Sequence, residues 1–428
     1  MDIFLNFLPL LKIIFVFVCM LAGIRLKLGV GASILIGGGV LAFLTSMQSG
    51  EVVQVAAAAL RDDKTVFLVL IVALIMVLSG LLEKTGQAGR IMNSLTGYLR
   101  SPRLRLVFFP ALIGLLPMPG GAIFSAPMIQ EAANGLDVSS RDKAVINYWF
   151  RHVWELAWPL YPGMILAASL CGMSIFEYIG YTYPGAFFCI ALGYFFYLRP
   201  SVLPMKNNDH QADVPGNGRD IKKVIKEGLP LIVAIGGAFV FETLLSFIFP
   251  AVFFEIGIIL ALFAAVLSCI FANPGSLPIV RKLLLEKRFL NMIFMIVCVF
   301  VFKDVLGASG VVDELSRLAG GEAALIAAAV FIPFLVGFIA GITLAFVGAA
   351  MPLVVGLVHA TGLEHQLPAW AVLCMFSGFS GILASPIHIC FLLTCEYFKV
   401  DMFSAWKKVV IPSLVLMLLG VAYFLVLM

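Results

Sequence analysis

The sequence predicts an all-α polytopic membrane protein made of two inverted-topology repeats, each with five spans plus a re-entrant hairpin. Three observations carry that expectation. The hydrophobic fraction is 62% and the charged fraction 12%, against about 25% charged in an ordinary soluble domain. Apolar runs of roughly 18 residues or more recur along the chain, the length a helix needs to cross a bilayer. One long hydrophilic stretch divides the 428 residues near their middle, and an ordered series of glycine and proline landmarks returns after it.

The elements follow in order. The first repeat, residues 1–198, reads as helices near 3–24, 28–46 and 65–82, a hairpin at about 104–133, a broken helix at about 144–172 and a helix near 178–198. The segment from Ile3 has no basic leader and no small-residue cleavage site, so it reads as a retained span. Residues 199–227, with "KNNDHQADVPGNGRD", form a cytoplasmic linker. The second repeat, 228–428, runs through helices near 229–249, 253–271 and 289–302, a hairpin at about 323–357, a broken helix at about 369–395 and a helix near 405–427.

"LPMPGGAIFSAPMI" (116–129) interrupts an apolar stretch with three prolines and a Gly120-Gly121 pair. Irregular backbone at membrane depth survives only where protein or a water-filled cavity surrounds it. Each limb of 104–133 is too short to span at about 1.5 Å per residue, so Pro117, Pro119, Gly120 and Gly121 mark a hairpin tip entered from the cytoplasm. The free N–H groups that open its second limb suit an anion.

Charge supports this plan. With hairpins that return to their own side, 22 of the Lys and Arg residues fall on one side and four (Arg61, Lys64, Arg317, Lys303) on the other. That satisfies the positive-inside rule and places both termini on the outer side of the cell (inner) membrane. The net charge of +4 belongs to cytoplasmic loops and implies no nucleic-acid partner. The halves also match: "FFPALIG" (108–114) with "FIPFLVG" (331–337), Gly86 and Gly97 with Gly310 and Gly320, Pro159 with Pro386, Pro184 with Pro412. The shifts run only from 223 to 228. Inverted repeats with paired broken elements are the best sequence pointer to a secondary transporter.

These residues resemble the ion-transporter superfamily of gluconate permeases, dicarboxylate symporters and arsenite permeases. Within it, "MPGGAIFSAPM" and "GILASPIHICFLLT" (381–394) are similar to an integral membrane family known as domain-of-unknown-function family 401. The resemblance covers nearly the whole chain and implies a homodimer with a static scaffold and a mobile, elevator-type transport domain. The Ser-Asn-Thr tips that bind sodium in dicarboxylate symporters are missing, since the tips read "PMPGG" and "AGITLAF". Sodium coupling therefore does not carry over, and the proton ranks ahead of it.

"NYWFRHVWELAWPLYPG" (147–163) carries the densest chemistry. Arg151 and Glu155 are spaced i,i+4 for one helical face, His152 is adjacent, and Pro159 and Pro162 then break the helix. Ionisable groups within a span are costly and line a pathway or pair with one another. Arg151 or His152 is expected to hold an anionic substrate and Glu155 the coupling proton; the alternative is a self-satisfied Arg151–Glu155 pair. In the other half, Ser385 and His388 flank the break at Pro386, and the His388 imidazole also suits a coupling proton. Gly120, Gly121, Ser125, Gly341 and Thr343 complete the expected substrate set at the two tips. Trp154, Trp158 and Tyr161 shape a ligand site or fill the core. Lys12 and Glu242 are expected as a scaffold salt bridge.

Walker A, HExxH and GxSxG motifs are missing, so no enzyme and no cofactor is expected. His152, Glu155 and His388 make too thin a set for a metal site. All eight cysteines sit in apolar segments without disulfide or zinc spacing and read as small hydrophobes. The expected activity is proton-coupled transport of a small anion, an organic carboxylate by class. A cation/proton antiporter, and a non-transporting membrane subunit or intramembrane enzyme, are the competing expectations.

Overall fold

The computed structural model describes residues 8–95, 98–99, 101–116, 121–134, 136–203, 220–248, 254–318 and 322–428. These form α-helices joined by short turns, with no strand among them. Eight helices among the described residues are long and apolar enough to cross a membrane. The chain is a multi-pass membrane protein. Ten crossings were expected; two of the segments behind that number, Val30–Leu44 and Pro184–Leu198, are apolar but shorter than a span.

In the first half, α1 (Leu8–Arg25) packs on α2 (Val30–Leu44), and α4 (Asp63–Lys84) follows the short α3 (Ser49–Arg61). After α5 (Gln87–Leu95), α6 (Pro102–Gly114) and α7 (Ala122–Ala132) pack against each other. Pro117, Met118, Pro119 and Gly120 lie outside the described residues, so the expected tip is described only from Gly121 onward. Then come α8 (Ser140–Arg151), α9 (Pro162–Leu170), α10 (Ile175–Thr182) and α11 (Pro184–Gly193).

In the second half, α12 (Ile221–Ile248) packs on α13 (Phe254–Ala272); α14 (Leu277–Leu284), α15 (Lys287–Ala308) and α16 (Val311–Leu318) follow. Next, α17 (Glu322–Ala340) and α18 (Thr343–Ala360) pack as a pair around Gly341 and Ile342. The chain ends with α19 (Leu367–Ala384), α20 (Ile389–Phe398) and α21 (Met402–Leu427).

Pairings across the halves come in exchanged sets. α4 packs on α13, and α15 on α2; α5 packs on α12, and α16 on α1; α9 packs on α18, and α20 on α7. The deepest helix is α19, whose residues from Ala369 to Ala384 are all buried between α17 and α21.

Several boundaries differ from expectation. Four short helices, α3, α5, α14 and α16, went unread because each is too brief and too charged for a span-length window. α12 begins at Ile221, inside the stretch read as linker, because Asp220 Oδ1 accepts from Lys222 N (3.0 Å) and Lys223 N (3.2 Å) and caps it. That capping turn carries Ile221 and Ile225 into the helix. The broken helix read as 144–172 breaks earlier, after Arg151. The helix read as 178–198 is two helices, Pro184 opening the second, and α9 and α10 bend by 102°. Lys12 Nζ lies 3.7 Å from Glu314 Oε2, at the acid-rich first turn of α16. Lys12 is therefore paired with Glu314; the side chain of Glu242 lies outside the described residues.

Candidate functional site

α8 is capped by Ser139, whose hydroxyl accepts from Asp142 N at 3.1 Å. Nothing in "NYWFRHVW" is a classical breaker, yet the helix stops at Arg151. The stop coincides with a side-chain bond: His152 Nδ1 donates to Tyr148 O at 2.7 Å, the carbonyl that the His152 N–H would use in a continuing helix. That N–H goes to Trp149 O instead, and a string of tight turns follows: Glu155 N to His152 O, Ala157 N to Trp154 O, Tyr161 N to Trp158 O. Pro162 then opens α9 from the first helical position, where its missing N–H costs nothing. Arg151 and Glu155 therefore do not share a helical face; they flank the start of an irregular segment.

This segment satisfies the end of α6. Trp154 Nε1 donates to Ala111 O (2.9 Å), Arg151 Nη1 to Ile113 O (3.0 Å), Arg151 Nη2 to Leu116 O (3.4 Å) and Tyr161 OH to Gly114 O. Arg151 also bonds the Tyr161 side chain. Terminal helix carbonyls need such donors when buried, and a guanidinium complements the negative end of the dipole. A Cβ on Gly114 would lie 2.5 Å from Arg151 O, and one on Gly121 would lie 2.6 Å from Arg151 Nη2. Both glycines are there for close approach. Arg151 thus bonds Leu116 and lies close beside Gly121.

Glu155 faces the other half. Its Oε1 accepts from Thr343 Oγ1 at 2.5 Å. Thr343 opens α18, after Gly341 turns the chain at φ +63, a conformation glycine adopts without strain. Ser385 Oγ donates to Phe338 O at 2.6 Å, satisfying the end of α17 as Arg151 and Tyr161 satisfy the end of α6. His388 is the N-cap residue of α20, and its Nε2 lies 3.0 Å from His152 Nε2. The Tyr148 ring packs on both imidazoles, while its hydroxyl reaches Ile382 O and Leu383 O.

Gly121, Arg151, His152, Glu155, Gly341, Thr343, Ser385 and His388 are therefore linked through direct contacts into one buried region. Ser125 belongs to a neighbouring network: its hydroxyl donates to Asn147 Oδ1 (2.6 Å), and Asn147 Nδ2 donates to Ala122 O (3.0 Å) and Thr394 Oγ1 (3.1 Å). Sequence reading missed Asn147, Tyr148, Thr394 and Cys390 as parts of this region. The signal available was their place inside the two quoted motifs.

A family model matches residues 7–212 and 237–427. The chain belongs to the family described as protein of unknown function (DUF401). Comparison with curated proteins finds no match. The matched residues of this DUF401 protein include every member of the buried region, from Gly121 through Glu155 to His388.

Proposed function

We propose that the protein is a secondary active transporter of the ion-transporter superfamily, moving a small organic carboxylate coupled to protons by an elevator mechanism. One observation carries the reading. Four helices that start in or beside the buried region, α7, α9, α18 and α20, begin without a side-chain cap, and the buried Arg151 lies among them. Uncapped N-termini present orphan N–H groups and the positive end of the helix dipole, a ready anion site. A guanidinium buried among such helix starts is costly to hold in an apolar bundle and argues for an anionic occupant.

The reading takes the halves as inverted repeats, with α6–α7 and α17–α18 as re-entrant hairpins. The exchanged helix pairs support it. So do two matching close approaches: Gly114 against Arg151 O, and Gly337 against Gly378 O, where a Cβ would sit 2.5 and 2.2 Å away. Gly337 is shifted by 223 residues from Gly114 and Gly378 by 227 from Arg151, the same shifts that relate "FFPALIG" to "FIPFLVG" and Pro159 to Pro386. The hairpins and broken helices would move as one body past a scaffold of α1, α2, α4, α12, α13 and α15. The protein would work as a homodimer in the cell (inner) membrane with both termini outside. Arg151 orients the carboxylate, and Glu155, joined to Thr343 across the halves, exchanges the proton.

The test is uptake of a panel of labelled mono- and dicarboxylates into proteoliposomes under an imposed pH gradient. At least one carboxylate is expected to accumulate, and Arg151→Lys, which keeps the charge but loses the fork, to weaken its uptake. Absence of flux for every carboxylate, or sodium-driven proton efflux without any organic anion, overturns the proposal.

A further inference from the structure

We propose that His152, His388 and Cys390 form a buried binding site for a transition-metal ion of the Zn2+ class. One ring nitrogen of each histidine and Cys390 Sγ lie within 4.8 Å of one another, and all three residues are buried. The Tyr148 carbonyl can only accept, so His152 Nδ1 holds the proton and Nε2 presents a lone pair. That is how a metal-ligating histidine is held, with its second nitrogen fixed by a carbonyl. This lone pair accepts a hydrogen bond from His388 Nε2 at 3.0 Å, and His388 Nδ1 has no hydrogen-bond partner among the described residues.

An imidazole pair needs no sulfur beside it, yet Cys390 brings one, on the first turn of α20. Cys390 is in no disulfide. Two nitrogens and a thiolate select borderline or soft ions over sodium and magnesium. A nitrogen and a sulfur on one tetrahedral zinc lie about 3.6 Å apart, so the widest gap closes by about 1 Å on loading. Binding forms two Zn–N bonds and one Zn–S bond; the His388 proton moves from Nε2 to Nδ1, and the Cys390 thiol proton leaves to solvent. The ligands come from both halves, so the ion would tie the two broken helices together.

The site shares its buried region with the transport reading, but its assays measure no flux, so either can fail alone. Metal-stripped full-length protein is titrated with Zn2+ by calorimetry and with Co2+ by absorption. One ion per chain is expected, with a sulfur-to-cobalt charge-transfer band that Cys390→Ser abolishes. His388→Gln is expected to weaken Zn2+ binding by at least about 100-fold. Zinc-edge X-ray absorption on the unaltered protein reads two nitrogens and one sulfur whether or not the variants fold. A sulfur-free shell, or equal Zn2+ binding by the H152Q/H388Q/C390S variant, overturns the site.

Discussion

Thr343 and Glu155 make the smallest link between the two halves, a single hydroxyl-to-carboxylate bond inside a buried region. Thr343→Val keeps the shape and removes the donor, leaving a buried oxygen unsatisfied at about 1–3 kcal/mol. The thermal unfolding midpoint is expected to fall, while Thr343→Ser stays near wild type; equal midpoints for Val and Ser would dissolve the link. Gly114→Ala acts by a different route. Its new Cβ meets backbone, the Arg151 carbonyl, which cannot rotate away. Overpacking of that kind costs about 1–3 kcal/mol, and a midpoint unchanged by the alanine would show that the two backbones do not touch. Arg151→Ala would lose the donor that serves Ile113 O and Leu116 O as well as any substrate contact, so Arg151→Lys is the cleaner probe.

At the scale of elements, the ends of α6 and α17 are each closed by a side chain from the break that follows. Ser385→Ala removes the bond to Phe338 O and is expected to cost about 1 kcal/mol. Faster amide exchange at the end of α17 would accompany it, and unchanged exchange there would contradict the role of Ser385. These closures explain which elements could be read from sequence. Prolines and glycines that break a helix by their own backbone, such as Pro162 and Gly341, are visible in one dimension. The stop at Arg151 is not, because no residue from Asn147 to Glu155 breaks a helix by its own backbone. Lys12 shows the same limit: its acid, Glu314, lies on a short amphipathic helix that hydropathy over a span-length window averages away.

At the scale of the molecule, composition sufficed for the membrane class, since 62% hydrophobic residues leave no other solvent for the surface. "FFPALIG" and "FIPFLVG" matched in sequence, but that match gave no sign that Gly114 and Gly337 each approach a backbone carbonyl, of Arg151 and Gly378. The buried region was legible only as scattered ionisable residues; their contacts join segments more than 180 residues apart, such as those carrying Glu155 and Thr343. The positive-inside asymmetry predicts that tags on both termini are reached by impermeant reagents from outside intact cells, and protection of either one would contradict the orientation. The central claim, an anion chamber whose proton rides on Glu155, is tested most directly by Glu155→Gln in proteoliposomes. The account predicts that this variant still exchanges labelled for unlabelled carboxylate but no longer accumulates it down a pH gradient. Accumulation equal to wild type would contradict it.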